Sequence, residues 1–550
     1  MVGSARSETP GTEIDSPDPV PPGLLEAFWR YDAALLANDK SVLDELFLPG
    51  PATLRGDGRN LLVGHAAISG FRSARSAIPV RKIAALHVRV LSAGHALVMA
   101  RTADGAATGL QTQVWQLTGA GWRVAAAHVS LPSHAPPAAA PPAFPPAGGQ
   151  PAFDRSVWRV VGAPLAAALA RGPLDGYDVA VKDLFAVAGQ PVGGGVPGFL
   201  AGQPPRLASA AAVTALQQAG AELTGIAQTD EFAYSIAGRN VHYGAPPNPA
   251  APGRLGGGSS SGPAAAVALG QARVGLGTDT AGSIRIPASY QGLVGFRPTH
   301  GAISAEGVLP LAPSFDTVGW LTRDVADSQA VARVLLPWPA DEAALARIPV
   351  PATRVIRLPG VEALADPEVQ VLLGRFLARA TDAGLLPPAA DVSLPAETVD
   401  EWFAAFRTVQ AYEAWHAHGA WIAAHPGALG DDVAQRFAAA AAVTGEQAAD
   451  ARTTVASARA ALTGWLDGAV LVMPTAPGPA PPRTADPAEI DDVRGRTLRM
   501  SCLAPLAGAP AVSLPQAGRA GPVGLCLIGA PGTDASLLGL AARLEGPEKP

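Results

Sequence analysis

The spacing of hydrophobic positions changes from helical to alternating within the first 130 residues. Apolar residues recur on one side of residues 24–38, and residues 41–47 are predicted to form a second short helix. Farther along, alternating stretches separated by glycine turns predict four strands, at residues 83–91, 96–102, 109–117 and 122–130. Helices followed by consecutive antiparallel strands predict a small α+β domain over residues 20–133.

The hydrophobic pattern after this domain is of a different kind. Residues 134–152 are repeated prolines and alanines, which predict an extended linker. Beyond the linker, an apolar strand at 179–181 and a helix at 209–220 begin an alternation of strands and helices. Residues 343–467 are alanine-rich and are predicted to be mostly helical. The pattern predicts an α/β domain over residues 153–545.

Charge and composition exclude several classes of protein. The 550 residues include 40 Lys and Arg against 46 Asp and Glu, with no basic stripe that would favour nucleic acid binding. No apolar run reaches the ~18 residues that predict a membrane span. Residues 7–22 lack the basic start and apolar core of a secretory signal. Cys502 and Cys526 lie in apolar contexts, so we expect buried, unreactive thiols. These features predict a cytoplasmic enzyme with neither a nucleic acid nor a membrane partner.

One glycine- and serine-rich stretch, residues 256–285, carries the candidate chemistry. It contains Ser259 and Ser283, and Lys182 follows an apolar strand earlier in the chain. A serine hydroxyl needs a base within hydrogen-bond reach, and a buried lysine can serve because desolvation lowers its pKa. Ser259 can then relay a proton between Lys182 and Ser283. The small residues 280–283 let backbone N–H groups converge on an oxyanion, so the pattern predicts a serine amidohydrolase.

Other interpretations of this stretch and of the histidines are weaker. Residues 258–262 also fit Gly-x-Ser-x-Gly, which would make Ser260 the nucleophile, but the last histidine, His425, lies in an alanine-rich helical region. A phosphate-binding loop is disfavoured because no Gly-Lys-Ser/Thr follows the glycines. His416 and His418 are two positions apart and do not face one ligand on a helix, so we expect solvated or capping histidines and no metal.

Several blocks of the second domain resemble the amidase signature family. Gly-Gly-Ser-Ser-Ser-Gly at 257–262 is similar to its Gly-Gly-Ser-Ser-Gly-Gly block, and 277–288 is similar to its nucleophile block. Residues 230–233, 292–299 and 522–529 match further blocks. The resemblance implies the amidase-signature α/β fold, with a mixed central sheet covered by helices. It also implies an acyl-enzyme mechanism without cofactor or metal.

The resemblance assigns roles to individual residues. It implies Ser283 as nucleophile, Ser259 as a serine preceded by a cis peptide bond, and Lys182 as base. The candidate oxyanion or substrate-binding residues are Thr280, Ala281, Gly282, Ser260, Arg239 and His242. Arg285 is expected to be structural, paired with Asp279.

Two positions depart from the family pattern. Ala281 stands where the family usually has a second glycine beside the nucleophile, and a methyl group there could narrow the oxyanion pocket or conflict with a positive φ. Ser261 replaces a glycine of the serine block. Neither change removes a reacting group, so we expect activity to survive.

Within the family, residues 231–235, 238–244 and 412–422 look like those of biuret-type hydrolases. This similarity implies a small carboxylated urea, such as 1-carboxybiuret, or a related amide as substrate. It makes Arg239 and His242 the candidates for holding the carboxylate.

The first domain resembles the AtzH-like family, which consists of small cone-shaped domains of the SnoaL type. The resemblance rests on Gln111-x-Gln113-x-Trp115 and on residues 121–130. It implies a small-ligand pocket between a curved sheet and helices, with four candidate polar residues: Tyr31, Arg55, Gln111 and His128. The alternative is a scaffold in which His128 and Gln113 only satisfy backbone groups of the sheet.

The expected partner is a small-molecule amide. The sequence is also compatible with a homodimer formed through either domain. The alternative function is a catalytically inactive or glutaminase-type amidase subunit that acts in an assembly. The retained Lys182, Ser259 and Ser283 argue against an inactive subunit. The fused first domain and the lack of a basic surface segment argue against a glutaminase-type subunit.

Overall fold

The computed structural model describes residues 13–57, 61–73, 82–104, 107–129, 153–338 and 354–545. Contacts within the chain divide it into two units, Met1–Ala152 and Phe153–Pro550. The predicted linker, residues 134–152, lies outside the described residues. None of the described helices is long and apolar enough to cross a membrane.

The first unit is a seven-stranded sheet with three helices. The helices are Leu24–Leu36, Lys40–Leu46 and His65–Ser73. The strands are β1 (Glu13–Asp15), β2 (Leu54–Asp57), β3 (Leu61–Val63), β4 (Lys82–Ser92), β5 (His95–Asp104), β6 (Ala107–Thr118) and β7 (Gly121–Val129). The second helix begins at a capping residue, Asp39, whose carboxylate accepts the N–H of Val42 at 3.1 Å.

The sheet of the first unit has the order β1-β4-β5-β6-β7-β2-β3. Strands β4 to β7 form the predicted antiparallel meander, and both predicted helices are present within one or two residues of their expected bounds. Strands β1 to β3 were not predicted, because strands of three or four residues are too short to show a period. The third helix, His65–Ser73, was also not predicted. Apolar residues of helices and sheet form one core, which includes Leu24, Phe28, Leu43, Trp115 and Val124.

The second unit is built on an eleven-stranded mixed sheet. Its strands are β8 (Trp158–Ala166), β9 (Asp178–Lys182), β10 (Glu222–Ala227), β11 (Val274–Asp279), β12 (Val294–Arg297), β13 (Thr317–Thr322), β14 (Arg354–Arg357), β15 (Ala389–Asp391), β16 (Ala469–Pro474), β17 (Ala511–Gln516) and β18 (Val523–Ile528). The order is β15-β14-β16-β18-β17-β12-β13-β11-β9-β10-β8. β9 is parallel to both of its neighbours, whereas β17 is antiparallel to both of its own.

Helices cover this sheet on both faces. Along β16, Val470 and Val472 belong to one apolar cluster while Leu471 and Met473 belong to another, as expected for a strand buried on both sides. The helices are Pro197–Ala201, Ala211–Gln218, Ser261–Ala268, Arg285–Gln291, Val325–Leu335, Pro359–Glu362, Pro367–Asp382, Ala396–Ala424, Asp431–Ala441, Gly445–Leu466, Pro487–Ser501, Leu503–Ala507 and Asp534–Glu545, with a 3₁₀ turn at Glu231–Ala233. The expectation of a mixed sheet covered by helices is therefore confirmed.

Candidate active site

Lys182 is the last residue of strand β9 and is fully buried. β9 pairs in parallel with β11, which brings the end of β11 beside the lysine. The Lys182 Nζ atom donates to the hydroxyls of Ser259 and Thr278, each at 2.9 Å. The amine therefore has two neutral hydrogen-bond partners, one of which is the predicted relay serine.

The protonation state of Lys182 follows from this environment. Burial lowers its pKa from the usual 10.5 to about 7, and the carboxylates of Asp230 and Asp316 offset part of that effect. A substantial fraction of the neutral amine exists near neutral pH, so Lys182 can accept a proton from a serine hydroxyl.

The backbone around Ser259 is tightly packed. The Gly258–Ser259 peptide bond is cis, as the family resemblance implied. A Cβ atom at Gly258 would lie 2.6 Å from the carboxylate of Asp230, so no larger residue fits there. The Ser259 carbonyl accepts the hydroxyl of Thr229 at 2.9 Å. These contacts hold the relay serine against Lys182.

Ser283 lies in the loop that joins β11 to the helix Arg285–Gln291, and its side chain is buried. Asp279 holds this loop: one carboxylate oxygen accepts the N–H of Gly282 at 3.0 Å and the other accepts that of Ile284 at 3.3 Å. Arg285 binds both oxygens of Asp279, at 2.9 and 3.0 Å. The expectation that Arg285 is structural and pairs with Asp279 is therefore confirmed.

In this buried cluster one carboxylate, that of Asp279, meets two guanidinium groups. Burial alone would raise the pKa of Asp279, but the guanidinium groups of Arg285 and Arg297 hold it well below its usual value. Arg297 also donates to the Asp279 carboxylate at 3.1 Å. The loop that carries Ser283 is thus fixed by an ionised carboxylate at its base.

The alanine that replaces a glycine at position 281 does not strain the loop, because the positive φ lies at the next residue, Gly282. The positive φ of the loop, 124°, falls on Gly282, and among the described residues only Asn38, Phe232 and Ala233 have a positive φ without being glycine. The conflict expected at Ala281 therefore does not arise. Its carbonyl accepts the hydroxyl of Ser501 at 2.5 Å. Ser261, the other departure, is the buried first residue of the helix Ser261–Ala268.

A small cleft with about 290 Å³ of unfilled space opens beside Ser283. Its lining residues are Ala233, Tyr234, Ser235, Ile236, Thr280, Ala281, Ser283, Leu311, Gln410, Arg494 and Leu498. Of the predicted oxyanion residues, Thr280 and Ala281 line the cleft together with the predicted nucleophile.

Ser260 is not part of this cleft. Its side chain is fully buried, and its hydroxyl donates to the carbonyl of Thr278 at 3.3 Å. Its backbone N–H donates to the carbonyl of Ser283, also at 3.3 Å. This position favours Ser283 over Ser260 as the serine that meets a substrate.

The structure does not bring Arg239 and His242 to the cleft. Arg239 is exposed. His242 lies with its Nε2 atom 3.2 Å from a carboxylate oxygen of Glu231 and 3.1 Å from the carbonyl of Ala428. The guanidinium group that does line the cleft belongs to Arg494, in the helix Pro487–Ser501, a residue that the sequence patterns did not single out.

The two histidines of the predicted helix differ from each other. His416 is exposed, and its Nδ1 lies 2.8 Å from the Tyr412 carbonyl. His418 is buried, stacks on Phe232 at 4.4 Å and lies 2.7 Å from the carbonyl of Pro310, so the expectation of a solvated histidine was wrong there. Burial lowers its pKa to about 4. No cluster of metal-ligating side chains is found in the part of the chain that the structure describes.

Both cysteines are free and buried, as expected. Burial raises the pKa of the Cys502 thiol to about 12 and that of the Cys526 thiol to about 11. These thiols remain protonated at neutral pH and are unsuited to nucleophilic attack.

In the first unit, two of the four candidate pocket residues, Arg55 and Gln111, lie on the buried face of the sheet, and Tyr31 lies on the helix Leu24–Leu36. Tyr31, Arg55 and Gln111 are buried. His128 is exposed and, because side chains alternate along β7, points away from that face. The structure therefore does not place His128 with the other three.

The comparisons with known proteins agree with this geometry. A model of the amidase family matches residues 162–538. The chain belongs to the amidase family. It is accordingly a hydrolase that acts on amide C–N bonds. A second model, of the AtzH-like family, matches residues 12–135, so the first unit is a separate AtzH-like domain.

Three relatives illustrate the range of the amidase family. Amidase 1 of Oryza sativa subsp. japonica is 35% identical over 398 residues, which cover 68% of this chain and 90% of that protein. The 2-amino-5-chloromuconic acid deaminase of Comamonas testosteroni is 32% identical, over 68% of this chain and 82% of that one. An inhibitor-bound complex, described as revealing the origins of an s-triazine catabolic enzyme, has a TM-score of 0.60 and 28% identity, over 68% of this chain and 84% of that one.

Proposed function

We propose that this amidase hydrolyses a small carboxylated urea or a related carboxylated amide, with Ser283 as nucleophile, Ser259 as proton relay and Lys182 as base. One observation carries the proposal: the buried Nζ of Lys182 lies 2.9 Å from the Ser259 hydroxyl. An amine with a pKa of about 7 at that distance is matched to a proton transfer near neutral pH.

The mechanism moves one proton in a relay. Neutral Lys182 takes the Ser259 hydroxyl proton while Ser259 takes that of Ser283, whose oxygen forms a bond to the amide carbonyl carbon. The carbonyl electron pair moves onto its oxygen, and the backbone N–H groups of residues 280, 281 and 283 are the proposed donors to it, since that of Gly282 is bound to Asp279. When the intermediate collapses, the C–N bond breaks and the departing nitrogen receives the relayed proton. Water then hydrolyses the ester of Ser283 by the same relay.

The carboxylated substrate is supported by the relatives and by the presence of an AtzH-like domain in the same chain. The Comamonas testosteroni relative is named for an amino acid of the muconate type, and the solved complex is named for s-triazine catabolism. 1-Carboxybiuret is the first compound to test, followed by simple carboxylated amides.

We also propose a small-ligand site in the AtzH-like domain, as a SnoaL-type cone. The observation that favours it is Gln111, whose buried amide nitrogen and oxygen have no hydrogen-bond partner among the described residues. Tyr31 and Arg55 would complete the site. Binding of a carboxylated urea that Gln111→Leu abolishes would support this function over a scaffold.

The catalytic proposal is tested by covalent labelling. The protein is treated with a fluorophosphonate, and the adduct is located by peptide mass spectrometry. We expect label on Ser283 that is lost in Ser283→Ala and Lys182→Ala and kept in a control, Ser304→Ala, whose serine is exposed. Label on Ser260, or full ammonia release by Ser283→Ala, would refute the assignment.

A further inference from the structure

The cleft beside Ser283 contains one cation without a close counter-charge. Arg494 lines it, and the side chain is about four-fifths buried, with a relative exposure of 21%. The nearest carboxylate is that of Asp491, 3.8 Å from the guanidinium and 80% exposed. The Arg494 Nε has no hydrogen-bond partner in the described ranges. Such a cation gains little from a solvated partner and is free to bind an anion in the cleft.

The surroundings of Arg494 add to this positive charge. Burial, together with the charges of Arg436 and Arg407, lowers the pKa of Arg494 to about 10. The group is nevertheless protonated at neutral pH. Arg436 donates to the carbonyl of Tyr234 at 2.8 Å and also pairs with Asp432 at 2.7 Å, a carboxylate that is 59% exposed and so offsets the charge of Arg436 only in part. An incoming anion would relieve the repulsion among these groups.

The acidic groups of the neighbourhood do not neutralise the cleft. Asp316 accepts the hydroxyl of Thr280 at 2.6 Å and the backbone N–H groups of Leu311 and Ala312 at 2.8 and 3.0 Å. The carboxylate is thus turned into the loop behind the lining. None of the described lining residues is acidic, whereas Tyr234 and Gln410 offer neutral polar groups.

We propose that Arg494 is the specificity-determining residue of this amidase and binds the carboxylate of its substrate. The inference rests on the proposed role of Ser283, because it places the scissile amide at that serine and the carboxylate at the other side of the same cleft. A planar guanidinium matches a carboxylate with two parallel hydrogen bonds, which a neutral amide cannot supply.

The test is a binding measurement that does not depend on the nucleophile. All variants are made in the full-length Ser283→Ala background, so that no turnover occurs. Isothermal titration calorimetry compares succinamate, which carries a carboxylate and an amide, with 4-methylpentanamide, in which an isopropyl group replaces the carboxylate. The variants are Arg494→Gln, Arg494→Lys and the matched control Arg499→Gln, in the same helix, whose arginine is paired with Asp400 at 2.6 Å.

We expect succinamate to bind at least tenfold more tightly than 4-methylpentanamide when Arg494 is present. Arg494→Gln should weaken succinamate binding about tenfold or more, Arg494→Lys should restore part of it, and Arg499→Gln should leave it unchanged. Equal affinity for the two compounds, no binding of either, or an unchanged affinity in Arg494→Gln would overturn the proposal. The assignment of Ser283 as nucleophile is tested separately, because fluorophosphonate labelling at a different serine would refute it without affecting this binding measurement.

Discussion

Two buried cationic side chains near neighbouring strand ends of the amidase domain have pKa values shifted in opposite directions. Arg285, next to the end of β11, meets the carboxylate of Asp279; burial alone would lower the pKa of Arg285, but that carboxylate raises it above its usual value. Lys182, at the end of β9, donates to two hydroxyls and has no directly bound carboxylate among the described residues, and burial lowers its pKa to about 7. A buried cation with a matched anion serves the structure, whereas one without an anion becomes a base.

The largest expected effect is a loss of catalysis when the Lys182 amine is removed. Lys182→Ala should lower kcat/KM for amide hydrolysis by about 10⁴-fold, at the upper end of what a general base contributes. The thermal midpoint of the variant Lys182→Met, which keeps most of the side-chain volume, should stay at or above that of the wild type, since no direct ion pair is broken. Ammonia release and differential scanning calorimetry measure the two quantities. A large loss of stability would show that the lysine is structural after all.

The next largest effect is on stability, from removal of the paired cation. Arg285→Gln leaves the buried carboxylate of Asp279 with one guanidinium partner, Arg297, and should lower the free energy of unfolding by about 3–5 kcal/mol. Urea denaturation measures this change. The control is Arg171→Gln, which removes an exposed pair with Asp175 and should cost less than about 1 kcal/mol. Equal costs for the two variants would refute the distinction.

The pH dependence of catalysis sharpens the same contrast. Only neutral Lys182 accepts a proton, so kcat/KM should fall about tenfold per pH unit below a midpoint near 7 and level off above it. His418, with a pKa of about 4, stays neutral over this range and does not contribute. Thr278→Val removes one hydroxyl acceptor of the ammonium form and should move the midpoint to lower pH. A profile that rises toward acid would contradict the lysine base.

The smallest expected effect concerns the third cation, Arg494. Its nearest carboxylate in the described part of the chain is exposed, so Arg494→Gln should change the free energy of unfolding by no more than about 1 kcal/mol. Urea denaturation of this variant beside Arg285→Gln gives the direct comparison. A loss of several kcal/mol would show that Arg494 holds the fold rather than a ligand.

The parts of this molecule that the sequence could predict are those with local patterns. The strand that ends at Lys182 is an apolar run, and each serine loop is formed by consecutive residues, so the sequence predicts both. The short strands β14 and β15 have no room for a period and were missed. His418 was misjudged because its burial depends on Phe232 and Pro310, which lie far away in the chain.

Arg494 shows most clearly why the rest could not be predicted. In the sequence it is one of three similar arginines on one helix. The structure gives Arg496 the carboxylates of Asp366 and Asp492, and gives Arg499 that of Asp400. Only tertiary contacts separate the arginine that faces the cleft from the two that are paired. A helical pattern treats all three as a solvated face.

The helix Pro487–Ser501 also touches the nucleophile loop at its far end. The Ser501 carbonyl accepts a hydrogen bond from Arg285 at 3.1 Å, and its hydroxyl donates to the Ala281 carbonyl. Arg494 lies about two turns earlier on the same helix. The C-terminal end of this helix is therefore constrained by its contacts with the nucleophile loop. The part that carries Arg494 has no such constraint among the described residues. Single substitutions near Arg494 can therefore change the substrate specificity of such an enzyme during evolution, while the loop that carries Ser283 stays the same.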